Sequence, residues 1–449
     1  MLEKMSGKNF WGRIEAFLKR TAFWTTDYFH KKPVHRYYDD MKNVLSSYEK
    51  GKVIQEQHLK EMLAYATRYS PFYQSYRGKP LSNFPVVNKN ILIENYDQVA
   101  IPVNKIPGQN GELFIQRTSG STGRPFAIPQ DTGKRNRRVG EIKYFNETAG
   151  FRSHEKLGQC RVWTSWHHKN TKQEFRENIY AIQVKHMDDA TISELVKTVK
   201  KRNLVALRAY ASYYEAIAHY FKDGKGNLSD MKSLRVCFST SESLSEYAKD
   251  TWQELWGIPI VETYANEEAG MMGQQQVDSN AFYLNHSGYV FEFLKLDEDK
   301  PAPYGELSRI VITDLFNHAF LLIRYDTGDT AICEKGNVES NGWDYISKLY
   351  GRRMDLVYDI HDNPIHPMNF SRILKNLPGI IQYQFVQKGQ YEYVIRLNME
   401  NEENVDEVVA QIKEILGGAE ANVQVEMVDE IPVLASGKRK PIVNEWKKS

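Results

Sequence analysis

The sequence predicts an α/β protein: a large N-terminal part built around a parallel sheet, followed by a small α+β unit. Three observations carry this. Between 191 and 264, strand-like apolar runs alternate with amphipathic helical stretches, the pattern of parallel strands joined by helical crossovers. Between 282 and 350 the pattern turns to short strands separated by Gly, Asn and Asp, which reads as a β-rich subdomain. After the glycine-led, charged segment Gly351-Arg352-Arg353-Met354-Asp355, a strand–helix–strand pattern fills most of what remains. With 449 residues the chain is too long for one core, so two or three domains are expected.

Residues 1–50 carry Phe10, Trp11, Phe17, Phe23, Trp24, Tyr28, Phe29, Tyr37 and Tyr38 among many basic residues. They read as helices or a cap packed on a larger body, with an aromatic surface for a partner or lipid headgroup as the alternative. A helix is expected over 54–69, because Leu59, Met62, Leu63 and Ala66 share one face, and Ser70-Pro71 stops it. A second helix is expected over 131–148. Its Lys134-Arg135-Asn136-Arg137-Arg138 reads as a solvated basic face, with help in attracting a polyphosphate as the sharper alternative.

Thr191-Ile192-Ser193-Glu194 has the form of a capping box, and Ile192, Leu195, Val196 and Val199 form the stripe of the helix it would start. Strands follow at Leu204–Tyr210, Leu234–Phe238 and Pro259–Tyr264, with helices over 212–221 and, from Ser245, over 245–256. Ligands in such sheets sit beyond the C-terminal strand ends. Ser239-Thr240-Ser241-Glu242 and Tyr264-Ala265-Asn266-Glu267-Glu268 fall at those ends. Further strands are expected at Phe282–Leu284, Val290–Leu296, Leu307–Thr313 and Leu321–Tyr325, then at Tyr391–Met399 and Asn422–Val428. The helix between the last two, 405–416, carries Val405, Val408, Val409, Ile412 and Ile415 and ends at Gly417-Gly418.

Charge is nearly balanced, 59 Lys and Arg against 57 Asp and Glu, and the net of +2 gives no mandate for nucleic acid or membrane binding. Three widely spaced cysteines define neither a metal site nor a disulfide framework and suit a reducing, cytoplasmic setting. No apolar run approaches a membrane span, and the N-terminus has no continuous apolar segment of a secretion signal. His167 and His168 lie near Trp163 and Trp166, but no third ligand has helical spacing to them, so pocket-lining or surface roles fit better than zinc.

The stretch that organises the chain is Arg117-Thr118-Ser119-Gly120-Ser121-Thr122-Gly123-Arg124-Pro125, which follows the apolar Leu113-Phe114-Ile115. Glycines let a backbone approach an anion closely, and N–H groups and hydroxyls donate to phosphate oxygens. It is not a Walker loop, since no Gly-Lys-Ser/Thr follows at the required spacing, and a stretch of this kind taken alone is usually a plain surface turn. In order along the chain come this loop, Tyr264–Glu268, Ile323-Arg324-Tyr325-Asp326-Thr327-Gly328-Asp329, Gly351–Asp355 and Ala435-Ser436-Gly437-Lys438. Together they resemble the ordered core motifs of the adenylate-forming superfamily of acyl-CoA ligases. The nearest resemblance is to its phenylacetate–CoA ligase-like branch, which includes proteins associated with capsule biosynthesis. Leu63–Tyr73 and Phe84-Pro85-Val86-Val87 also fit that branch, so the resemblance runs from about residue 55 to the C-terminus.

The resemblance implies a multi-subdomain N-terminal adenylation domain over 1–350, with 1–50 as a helical cap, and a small mobile α+β lid over 351–449. It implies an ATP- and Mg²⁺-dependent ligase that activates a small carboxylic acid as its acyl-adenylate and passes the acyl group to CoA. Thr118, Ser119, Gly120, Ser121, Thr122 and Gly123 would hold the β- and γ-phosphates. Glu268 would bind Mg²⁺, Tyr264 would line the base, and Ser241 and Glu242 would border the adenine pocket. Asp329 would accept the ribose hydroxyls, Arg352 would touch ribose or phosphate, and Lys438 would bridge the carboxylate and the α-phosphate. The lid would pivot at Met354 or Asp355 between half-reactions.

The sequence departs from the family pattern at Ala265, Glu267 and Met354, where Gly, Thr and Asp are common. The adjacent Glu267 and Glu268 leave open which carboxylate is the ligand, and Arg439 and Lys440 follow Lys438 closely. Two rivals stay open: transfer to an amine, a sugar or a carrier thiol, and a non-catalytic nucleotide-binding homologue. A homo-oligomer is compatible with the sequence.

Overall fold

The computed structural model describes residues 8–117, 126–161, 170–184, 188–240, 244–352, 356–365, 369–370, 373–374, 377–399, 404–431 and 441–446. The expected α/β architecture is present. An eleven-stranded mixed sheet runs through the larger part of the chain, and a separate four-stranded sheet follows residue 380. At one end of the large sheet, Ile179–Gln183, Leu157–Arg161, Ala206–Tyr210, Val236–Thr240 and Ile260–Asn266 lie side by side and parallel. The helices Asp189–Arg202, Ala211–Lys222 and Glu246–Trp256 pack on this sheet through Val199, Tyr214, Ile217 and Trp252, all almost fully buried.

The other half of the sheet is antiparallel and closes on itself. From Ile260–Asn266 the order continues through Gly270–Gln275, Phe282–Leu284, Tyr345–Arg352, Tyr325–Glu334, Leu307–Asp314 and Tyr289–Leu294. Tyr264 on the first of these strands and Asp329 four strands away would be roughly 19 Å apart in a flat sheet at ~4.8 Å per strand. They are hydrogen-bonded at 3.0 Å, so the sheet curls into a barrel-like trough. One apolar cluster fills it, including Tyr264, Met272, Ile310, Ile312, Tyr325 and Ile346.

Local chemistry explains most boundaries. The helix Tyr48–Tyr69 ends where expected, its last turn closed by Ser70 N–H donating to Ala66 before Pro71. The helix Thr132–Thr148 starts from Asp131, whose carboxylate accepts from Lys134 N–H at 2.8 Å. Ser245 caps Glu246–Trp256 as expected, and Gly417 and Gly418, at φ +101° and +124°, end Val405–Ile415.

Three expectations fail. The helix expected to start at Thr191 starts at Asp189, because Asp188 is the cap and accepts from Thr191 N–H at 2.8 Å. Leu321–Tyr325 is not a strand, since Arg324 has φ +48° and interrupts it; the strand is Tyr325–Glu334, and Leu321, Leu322 and Ile323 are apolar because they fill the trough. The basic face of Thr132–Thr148 is not solvated: Lys134 and Arg137 are both 0% exposed. Lys134 Nζ lies 2.6 Å from Asp314 and Arg137 2.7 Å from Asp40, so carboxylates inside the fold drew these cations inward.

The C-terminal sheet has the order Asn422–Met427, Glu392–Met399, Ile380–Gln387, Ile442–Asn444. It packs with the helix Val405–Ile415 around its own cluster, which draws on residues 357 to 442. Cys160, Cys237 and Cys333 are unpaired and buried. Among the described residues, no helix is long and apolar enough to cross a membrane.

Candidate active site

The hydroxyl-rich loop itself, Thr118 to Pro125, lies outside the described residues, but its two ends are fixed. Phe114–Arg117 pairs antiparallel with Ala127–Gln130, which sets Arg117 opposite Ala127 and closes the loop at a hairpin neck. From there the chain enters the Thr132–Thr148 helix. That helix is locked by the buried Lys134–Asp314 pair, by Tyr289, whose phenol Lys134 approaches at 3.0 Å, and by His318 N–H donating to Asp131 at 2.6 Å. Such a pair is held in place because breaking it would strand a buried charge.

The neck meets the Tyr264–Glu268 segment directly. The Gln116 amide donates to Glu267, although 151 residues separate the two. Glu267 is exposed and engaged there, whereas Glu268 is 6% exposed on the turn between Ile260–Asn266 and Gly270–Gln275. Asn266 holds this turn by accepting from Ala269 N–H at 2.7 Å, and Gly270 follows at φ +110°. A side chain at Gly270 would be strained by that φ and would sit 3.2 Å from Arg138 Nε.

Asp329 approaches from the opposite wall of the trough. It is 7% exposed and accepts from Tyr264 Oη at 3.0 Å. The turn before it is rigid. Gly328 has φ +76°, its N–H donates to Asp326 Oδ1 at 2.9 Å, and Asp326 is paired with Arg309 at 2.9 Å. Asp329 N–H donates to Thr327 Oγ1 at 3.2 Å, and Thr327 donates to Ile310 O at 3.0 Å. Arg324, at the start of this motif, is not near the carboxylate: it donates to Glu292 and to Phe84 O, clamping the Phe84–Val87 segment to the trough. Arg352 sits directly opposite Asp329 in the strand register.

The described residues thus bring together Tyr264 and Asp329 in side chain and Arg352 in backbone position, while the turn that carries Glu267 and the buried Glu268 meets the neck of the loop through Glu267. Ser241, Glu242, Met354, Asp355 and Lys438 lie outside the described residues, as do Trp163, Trp166, His167 and His168. Sequence reasoning passed over Asp131 and Asp314 and placed Lys134 in solvent, although the three hold the helix behind the loop. The available signal was that two cations of the "solvated" cluster, Lys134 and Arg137, stand three apart and so share one helix face.

Among the described residues no group of three or more His, Cys, Asp or Glu could hold a metal. Glu268 is a buried carboxylate one residue from Glu267, which meets the neck of the loop, and a single such carboxylate is compatible with Mg²⁺, which commonly uses one or two carboxylates plus substrate phosphate oxygens.

The chain is similar to known proteins over most of its length. Residues 357–445 match the family model for the CapK C-terminal domain. Protein CapK of Staphylococcus aureus is 21% identical over 434 residues, covering 92% of this chain and 93% of its own length. Phenylacetate-coenzyme A ligase of Thermus thermophilus is 21% identical over 373 residues, covering 76% of this chain and 79% of its own. The fold is shared with 2-hydroxyisobutyryl-CoA ligase in its postadenylation state, at a TM-score of 0.70 and 17% identity over 90% of this chain and 91% of that one.

Proposed function

We propose, from the premise that this chain is a member of the adenylate-forming ligase superfamily on the CapK and phenylacetate–CoA ligase side, that it activates a carboxylic acid with ATP and transfers the acyl group. The observation that carries the reading is the contact of Tyr264 with Asp329, on the strand that leads into the Glu267-Glu268 turn, where Glu267 meets the neck of the hydroxyl loop. A carboxylate oxygen attacks the α-phosphorus of ATP, a P–O bond to the β-phosphate breaks, and pyrophosphate leaves. This chemistry asks the protein for positioning and charge stabilisation.

Asp329, fixed by Tyr264 and the Thr327 turn, accepts the ribose diol through its carboxylate. Thr118–Gly123 hold the β- and γ-phosphates, and Arg352 closes the ribose side. Ser241 and Glu242 border the adenine at the end of the Val236–Thr240 strand. Glu268 would hold Mg²⁺, which would supply charge neutralisation at the phosphates. Lys438 reaches the carboxylate and α-phosphate from the C-terminal unit. Residues 1–350 form the adenylation domain and 351–449 the lid, pivoting at 354–355. CoA is the favoured acceptor because relatives in sequence and fold are CoA ligases by name. The buried, unpaired cysteines suit a cytoplasmic setting.

The test is a panel of carboxylic acids assayed for acid-dependent pyrophosphate release. Release with at least one acid is expected. No release with any acid, together with no rise of melting temperature on adding ATP, would overturn the reading in favour of a non-catalytic homologue. Thioester formation on adding CoA identifies the acceptor; an ester or amide formed with a sugar, amine or carrier in its place would overturn CoA.

A further inference from the structure

We propose that the first helix, Lys8–Phe29, is a docking face for an anionic lipid surface. The inference stands apart from the adenylation reading. This helix has two unlike sides. The inner side is anchored: Ala16 is 3% exposed, Lys19 donates to Asn178 at 3.0 Å, and Phe23 packs on Lys143 and His154. Asp27 accepts from Val34 and His35 N–H groups at 2.9 and 3.0 Å, fixing the turn into the next helix. The outer side follows the i, i+3/i+4, i+7 spacing of one helix face. It presents Phe10, Trp11, Phe17, Leu18, Tyr28 and Phe29 at 56–77% exposure. Isolated exposed apolar residues need no explanation, but six large ones on one helix face do, in two groups separated by Thr21 and Thr25.

The surrounding charge chooses the occupant. Residues 1–36 hold eight Lys or Arg against three Asp or Glu, a net of +5, while the whole chain is +2, so the remainder carries a net of −3. Trp, Phe and Leu on one face with Lys and Arg around it is the composition of helices that lie in a membrane interface, their apolar side chains among the acyl chains and their cations at anionic headgroups. A second copy of this chain is a poorer partner. A two-fold interface would set the same cationic surface against itself. Phe175, 71% exposed and stacked under Lys19 at 4.1 Å, adds one more exposed ring beside this helix.

Docking is tested with the full chain by co-sedimentation with vesicles of phosphatidylcholine alone and of phosphatidylcholine with 30% phosphatidylserine. Binding to the anionic vesicles is expected to exceed binding to the neutral ones at least tenfold and to weaken in 0.5 M salt. The variant Trp11→Ser/Phe29→Ser is expected to lose at least tenfold in vesicle binding while keeping the wild-type melting temperature, since both residues face solvent. No binding to anionic vesicles, or equal binding by the variant, overturns the proposal. So does a dimer seen by light scattering that the same substitutions dissolve, which would make the stripe a contact between copies.

Discussion

Tyr264→Phe isolates the contact on which the proposed nucleotide site turns. It removes one hydroxyl from a side chain 5% exposed and takes from Asp329, 7% exposed, a donor at 3.0 Å. A hydrogen bond to a charged group contributes roughly 1.5–3 kcal/mol. The Thr327 turn still fixes the Asp329 backbone, so the lower end applies, and ATP binding should weaken by about 1.5 kcal/mol, roughly tenfold. Asp329→Ala removes the acceptor for both the tyrosine and the ribose and should cost more, on the order of 2–3 kcal/mol. In that background Tyr264→Phe has nothing left to position and should cost no further affinity. Titration calorimetry of ATP against the wild type, both single variants and the double variant yields the coupling, expected near 1.5 kcal/mol. Additive losses, with a coupling within about 0.3 kcal/mol of zero, would refute the reasoning and reduce Tyr264 to a packing residue. Loss of stability with ATP affinity unchanged would do the same.

Lys438→Ala should depress adenylate formation far more than acyl transfer from supplied acyl-adenylate; equal loss in both half-reactions would remove its assigned role. Asp314→Ala strands the Lys134 ammonium where both side chains are 0% exposed, and urea unfolding should show a loss of about 3–5 kcal/mol. Burial, partly opposed by Glu147 and Glu177, brings the Lys143 amine down to about 8. Between that value and the ordinary lysine range the unfolded chain holds a proton that the folded chain has lost. Wild-type stability should therefore gain from this residue as pH rises above about 8, by an amount on the order of a few kcal/mol. Lys143→Met should abolish that part of the rise, read as the difference between urea midpoints of variant and wild type at pH 7.5 and 9.5.

The parallel half of the fold was legible because its helices are amphipathic in the ordinary sense. Ile192, Leu195, Val196 and Val199 announce both a helix and the face it buries. The helix behind the hydroxyl loop was legible as a helix but not in orientation, because its buried side holds Lys134, Arg137, Glu141 and Lys143. Periodicity counts those residues as surface, and only their partners reverse the assignment: distant carboxylates for Lys134 and Arg137, Asn285 for Glu141, and the Phe23 ring for Lys143. The Leu321–Ile323 run misled for the opposite reason: apolar residues filling a trough look like a strand until a left-handed Arg324 stops the ladder. The site motifs were legible one at a time. The curl that brings Tyr264 to Asp329 was not, because it depends on strand order, which no local pattern encodes.

The buried cysteines also offer a way to watch this protein open. Burial raises all three thiols, Cys160 to about 12, so in the folded chain they are poor nucleophiles as well as inaccessible. Cys160 and Cys237 lie in the parallel half of the sheet and Cys333 in the curled half. Alkylation followed by peptide mapping would therefore time the breathing of two regions independently with no engineered label. A nucleotide gripped by the trough should slow the clock at Cys333 before it slows the other two.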